Sequence, residues 1–170
     1  REGAAVYRHA DGRDKKEVED RVRAYMEQGY RFIRCQMGGY GGKDQTIHKT
    51  KAALDGAYFD PAAYSRSVPA LFEHLRNELG FEIQLLHDVH ERLAPIDAVR
   101  LAKQLEPYQL YFLEDLLSPE QMEWFRMIRQ QCATPIAMGE LFNHPHEWTP
   151  LIVNRLIDFI RVHISQVGGI

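Results

Sequence analysis

Cysteine is scarce in this sequence: Cys35 and Cys132 are the two among 170 residues. Two thiols make no disulfide framework, and their spacing matches no metal-ligand motif. They read as small buried apolar side chains in a reducing, cytoplasmic setting. Long apolar runs are missing too, and none approaches the ~20 residues that span a bilayer. The opening REGAAVYRHADG lacks the apolar core of a signal peptide. An excess of one charge is also missing. The formal net charge is −3 and the basic residues are scattered, so neither nucleic acid nor an anionic membrane is an expected partner. No G-x-G-x-x-G follows the first strand-like run, which weakens any dinucleotide-binding reading.

What is present is ordinary globular composition, with 45% hydrophobic and 26% charged residues, enough for one domain with a sizeable core. AAVYRHA (4–10) reads as a strand closed by an Asp11-Gly12 turn. Val18, Val22, Tyr25 and Met26 have helical spacing, with Gly29 as the stop. RFIRCQM (31–37) reads as a strand, and the stretch from there to about residue 66 has no clear period. Val68 to Leu79 predicts a helix, 81–89 a strand, Pro95 to Leu105 a helix and 110–115 a strand. Ser118-Pro119-Glu120 reads as a helix start, 135–140 as a strand, Pro145 to Asn154 as a helix and 159–166 as a strand. Alternation of this kind argues for parallel strands with crossover helices. A doubly wound sheet and an eight-stranded barrel both remain open. Six strands are fewer than a barrel needs. Both ends of the chain read as cut, so a longer protein is expected, because a six-stranded piece alone would expose two sheet edges.

Three successive strands end in acids. Asp88, Glu114 and Glu140 are 26 residues apart in both steps, so one turn of the repeat returns a carboxylate to the same level. Three unpaired carboxylates converging there would repel one another. Oxygen ligands of this kind suit Mg²⁺ better than zinc. A lone acid at a strand end is more often solvated or a helix cap, and Asp115 reads that way. If the strand persists past Asp88, His90 shares its face and becomes a candidate acid/base; His87 then points away and reads as structural. His9, Arg34 and Arg161 are further inward candidates, since a cation beside carboxylates can bind a substrate carboxylate. The two arginines read equally well as partners of structural acids. Tyr40 could act as a phenol near Arg34 or be an exposed loop aromatic.

The segments VYRHADG, RFIRCQMGGYGG, LLHDVHERL, LEPYQLYFLED, MGELFNHPHEW and IDFIRVHISQVGGI together resemble the enolase superfamily. Within it they resemble the mannonate dehydratase group with its starvation-sensing branch. The resemblance spans almost the whole chain. It implies an α/β fold of the (β/α)8 barrel type, present as about six strands over 1–170 without the N-terminal capping domain. It implies Mg²⁺ held by Asp88, Glu114 and Glu140. It gives His90 the role of the acid/base that helps expel the 3-hydroxyl of a sugar acid. An Arg34–tyrosine dyad then takes the proton α to the carboxylate, and His9, Arg161 and Glu140 touch substrate. The implied reaction is dehydration of D-mannonate or a D-gluconate-type sugar acid to a 2-keto-3-deoxy product through an enediolate. A symmetric homo-oligomer is the implied assembly.

Two features depart from the family pattern. The early loop tyrosine is Tyr40, six residues after Arg34, nearer than in the characterised dehydratases. The lysine pair of the racemase-like branches is replaced by Arg34-Cys35-Gln36. The first departure favours an alternative expectation: a low-activity metal-binding protein with a regulatory role.

Overall fold

The computed structural model describes residues 3–38 and 59–169. The elements run β1 Arg8–Gly12, α1 Lys15–Glu27, β2 Phe32–Met37, α2 Pro61–Leu79, β3 Gln84–Asp88, α3 Pro95–Leu105, β4 Phe112–Glu114, α4 Trp124–Gln131, β5 Ile136–Met138, α5 Pro145–Val153 and β6 Phe159–Ile160. The chain forms two compact units, Arg1–Leu85 and Leu86–Ile170.

In the first unit β1 and β2 pair in parallel, with Ala10 opposite Cys35. The expected Asp11-Gly12 turn is instead strand, opposite Gln36 and Met37. The ladder continues because Gly38 donates its N–H to the Gly12 carbonyl at 2.8 Å. Gly12 serves close approach rather than turning, since a Cβ there would stand 2.7 Å from the Val18 nitrogen of α1. Asp14 caps α1 by accepting the Glu17 N–H, and Val18 and Val22 are buried. Helix α2 starts at Pro61, earlier than its apolar period suggests. Asp60 caps it by accepting the N–H groups of Ala62 and Ala63, and the proline suits the first turn. The start of β3 is fixed by the Gln84 N–H donating to Arg31 at 3.0 Å.

In the second unit β3, β4, β5 and β6 are parallel neighbours, and α3 packs against α4. Leu101, Leu105, Leu113, Phe125, Ile128 and Phe142 form much of its core. Ser118 makes no side-chain cap; Pro119–Gln121 is a separate 3-10 turn before α4. Strand β6 is shorter than its apolar run suggests. It gives way to a turn in which Gln166 donates to His163 at 2.9 Å.

The strand order is β1-β2-β3-β4-β5-β6. A doubly wound sheet would reverse direction at a switch point. Consecutive parallel strands separated by helices are instead the repeat of the (β/α)8 barrel, of which these are six strands. Among the described residues, no helix is long and apolar enough to cross a membrane.

Candidate metal centre

Strands β3 and β4 end on Asp88 and Glu114, which are register partners. Both side chains are fully buried. The equal sequence spacing suggested that Glu140 would stand at the same level. It does not, because Glu114 is opposite Ala137, so Glu140 lies three residues further on, beyond β5. A turn after Met138 brings it back. Gly139 makes that turn with φ 136° and accepts the Phe142 N–H at 3.1 Å. A Cβ on Gly139 would meet the Phe142 ring at 2.6 Å and the Arg161 carbonyl at 2.8 Å.

The acids gather in two groups that share Asp88. Ligand atoms of Asp88, Glu114 and Asp115 lie within 4.8 Å of one another, and so do those of Asp88, His90 and Glu140. Opposite ligands on an octahedral Mg²⁺ stand about 4.2 Å apart, so a small contraction suits such an ion. The donor chemistry suits it too, being mostly hard carboxylate oxygen. Arg161 links the groups. Its backbone N–H donates to the Met138 carbonyl at 2.9 Å. Its Nε pairs with Oε1 of Glu114, and its Nη1 lies 3.1 Å from Oε2 of Glu140.

His90 reaches the group by a route other than the expected one. Strand β3 stops at Asp88, so strand alternation does not apply. His90 adopts φ 60° and donates its N–H to Oδ1 of Asp88 at 2.9 Å. The turn therefore delivers the imidazole. Its Nδ1 is 3.7 Å from the Glu91 carboxylate.

Two residues were not singled out by sequence reasoning. Asp115 is buried at 1% exposure rather than solvated. Its Oδ1 accepts the Gly139 N–H at 2.9 Å. Burial pushes its carboxyl up to about 6, opposed by that hydrogen bond, while the Asp88 charge pushes further upward. Glu91 is pushed up to about 8, first by burial and then by the charges of Asp115, Asp88 and Glu140. The available signal was proximity in sequence: Asp115 directly follows Glu114, and Glu91 directly follows His90.

Of the remaining residues, His9, Arg34 and Tyr40 belong to the first unit and His87 to the second. His9 is exposed and stacks on Tyr7 with ring centroids 5.5 Å apart. Arg34 is buried in β2 and is the register partner of His9. Tyr40 lies outside the described residues. His87 is buried, at 1% exposure.

Parallel strands in consecutive order, separated by helices, with acids gathered at the ends of β3 and β4 and beyond β5, place the chain among the (β/α)8-type barrels. Residues 17–170 match the family model described as enolase C-terminal domain-like; the chain belongs to that family. Over its full length it is 56% identical to the D-galactonate dehydratase family member RspA of Pantoea ananatis. It is 44% identical to a D-mannonate dehydratase of Rhizorhabdus wittichii. The chain spans 45% and 44% of those two relatives. A crystal structure of an enolase from Pantoea ananatis with bound D-gluconate and Mg superposes with a TM-score of 0.93 at 55% identity, covering 99% of this chain and 45% of that one.

Proposed function

We propose that this chain carries the magnesium-binding part of a sugar-acid dehydratase of the D-mannonate or D-gluconate type. The observation that carries the reading is the buried Asp88, whose carboxylate is shared by both acidic groups. The similarity to the gluconate- and Mg-bound structure supports it. Asp88, Glu114 and Glu140 would hold the ion. When bound, Mg²⁺ supplies positive charge against the negative charge that develops when the proton α to a carboxylate is lost. His90, placed beside Asp88, gives a proton to the departing 3-hydroxyl. Arg34 with Tyr40 removes the α-proton, the guanidinium favouring the phenolate. His9, Arg161 and Glu140 contact the sugar acid. The product is a 2-keto-3-deoxy sugar acid. Residues 1–170 are read as part of the C-terminal barrel domain of a cytoplasmic homo-oligomer.

The test uses the complete protein. Glu114→Gln and His90→Asn are each expected to abolish formation of the 2-keto-3-deoxy product. Undiminished turnover in either variant contradicts the assignment.

A further inference from the structure

Asp115 follows a proposed ligand directly, so in a continued strand it would face away from Glu114. The chain does not continue as strand. Asp115 takes φ 43°, a left-handed conformation that costs most residues about 1 kcal/mol or more and that Asp, Asn and Gly tolerate best. Such a conformation persists only where the surroundings hold it.

What holds it is a set of three hydrogen bonds, two to the stretch 137–139 that leads to Glu140 and one to the turn that carries His90. The Asp115 N–H donates to the Ala137 carbonyl at 3.0 Å, in the strand that leads to Glu140. Its carbonyl accepts the Glu91 N–H at 2.9 Å, in the turn that carries His90. Its Oδ1 accepts the Gly139 N–H at 2.9 Å, one residue before Glu140. Beside it, the Val89 N–H donates to the Glu114 carbonyl at 2.9 Å. Asp115, directly after Glu114, therefore ties the segment after Asp88 to the segment before Glu140.

The side-chain bond does something the two backbone bonds do not. β5 ends at Met138, so the ladder no longer fixes the chain at Gly139. The carboxylate of Asp115 replaces the missing ladder partner and sets where the turn begins. Glu140 needs that help more than Asp88 or Glu114, because it alone lies beyond its strand.

We infer that Asp115 is a positioning residue: its Oδ1 anchors the Gly139 turn and so holds Glu140 in reach of Asp88. The inference rests on the proposed magnesium site and deepens it. Partners that orient metal ligands typically account for 10–100-fold in metal affinity.

Two substitutions separate a tether from a charge. Asp115→Gly keeps the left-handed backbone without strain and deletes the anchor. Asp115→Asn keeps an oxygen that can accept the Gly139 N–H and deletes the charge. Mg²⁺ affinity of the complete protein is measured by calorimetry on chelator-treated samples, with thermal unfolding of the same samples recorded beside it. Asp115→Gly is expected to bind Mg²⁺ about 10–100-fold more weakly than the unsubstituted protein. Asp115→Asn is expected to bind within about threefold of it, the conservative variant rescuing the bond. Asp115→Gly with undiminished affinity overturns the inference. So does Asp115→Asn binding as weakly as Asp115→Gly, which would make the charge the acting element. If Asp115→Gly does not fold, Asp115→Asn still decides, since a tenfold loss there overturns the tether. Failure of the unsubstituted protein to bind Mg²⁺ instead removes the functional reading itself, a separate result.

Discussion

Arg161 stands where two carboxylates share one cation. It pairs with Glu114, which is fully buried, and with Glu140. A buried carboxylate that loses its partner costs several kcal/mol, moderated here because Arg161 itself is 31% exposed. Arg161→Gln is therefore expected to destabilise the complete, chelator-treated protein by about 1–3 kcal/mol in denaturant unfolding. Added Mg²⁺ should raise the melting temperature of that variant more than that of the unsubstituted protein, because the ion would take over the lost compensation. Equal shifts in the two would contradict this role for Arg161. Asp88 and Glu114 were legible in the sequence because register spacing and strand ends coincide there. Asp115 was not, since period-2 reasoning turns it away from the site and only its positive φ turns it back. His90 was legible for a reason that does not hold: it arrives by a turn that alternation cannot describe.

Elements were read from the sequence where local chemistry marked them. Helices α1, α3 and α5 carry their capping or proline signals at their first turns. The strands were overlong in reading, because an apolar run does not show where a parallel neighbour stops pairing. The turn after β5 is where this matters most. Gly139→Ala would push a Cβ to 2.6 Å from the Phe142 ring, in a conformation that L residues rarely adopt. Overpacking and backbone strain together should cost about 2–4 kcal/mol. Denaturant unfolding of the complete protein measures that, and a loss below about 0.5 kcal/mol, the scale of an unremarkable surface change, would show that the turn is not constrained. In the first unit, α1 and α2 are joined through buried Glu19, which bonds Arg23 at 2.7 Å and the His74 ring at 3.0 Å. The hydrogen bond from Arg23 is the main reason its carboxyl is held down at about 2, against an ordinary value of 4.5. A depressed folded value means the contribution is complete above about pH 4.5 and is lost as pH falls toward 2. Because Arg23 and Lys16 are solvent-exposed, the contribution is discounted to about 1–2 kcal/mol. Glu19→Gln should flatten the acid limb of stability between pH 5 and 2, and an unchanged limb in urea titrations would contradict the linkage.

At the scale of the whole molecule, the proposed dehydratase reading names a class of substrate rather than one sugar acid. The relatives the chain resembles carry both galactonate-family and mannonate dehydratase names. Acid sugars share the C1 carboxylate and the 2- and 3-substituents that dehydration needs, so fold and metal centre alone do not choose among epimers. Screening the complete protein against a library of acid sugars with Mg²⁺ is expected to give turnover on a hexonate of the mannonate or gluconate kind. Metal binding with no turnover of any member would favour the regulatory alternative. Whichever sugar acid fits, Asp88, Glu114 and Glu140 are proposed to form one metal site. Crystals of the complete protein grown with Mn²⁺, which accepts the same oxygen ligands as Mg²⁺, test it through the anomalous difference map. The expected result is a single strong peak bonded to a carboxylate oxygen of each of the three residues. A peak elsewhere, or one that leaves out Glu140, would contradict it.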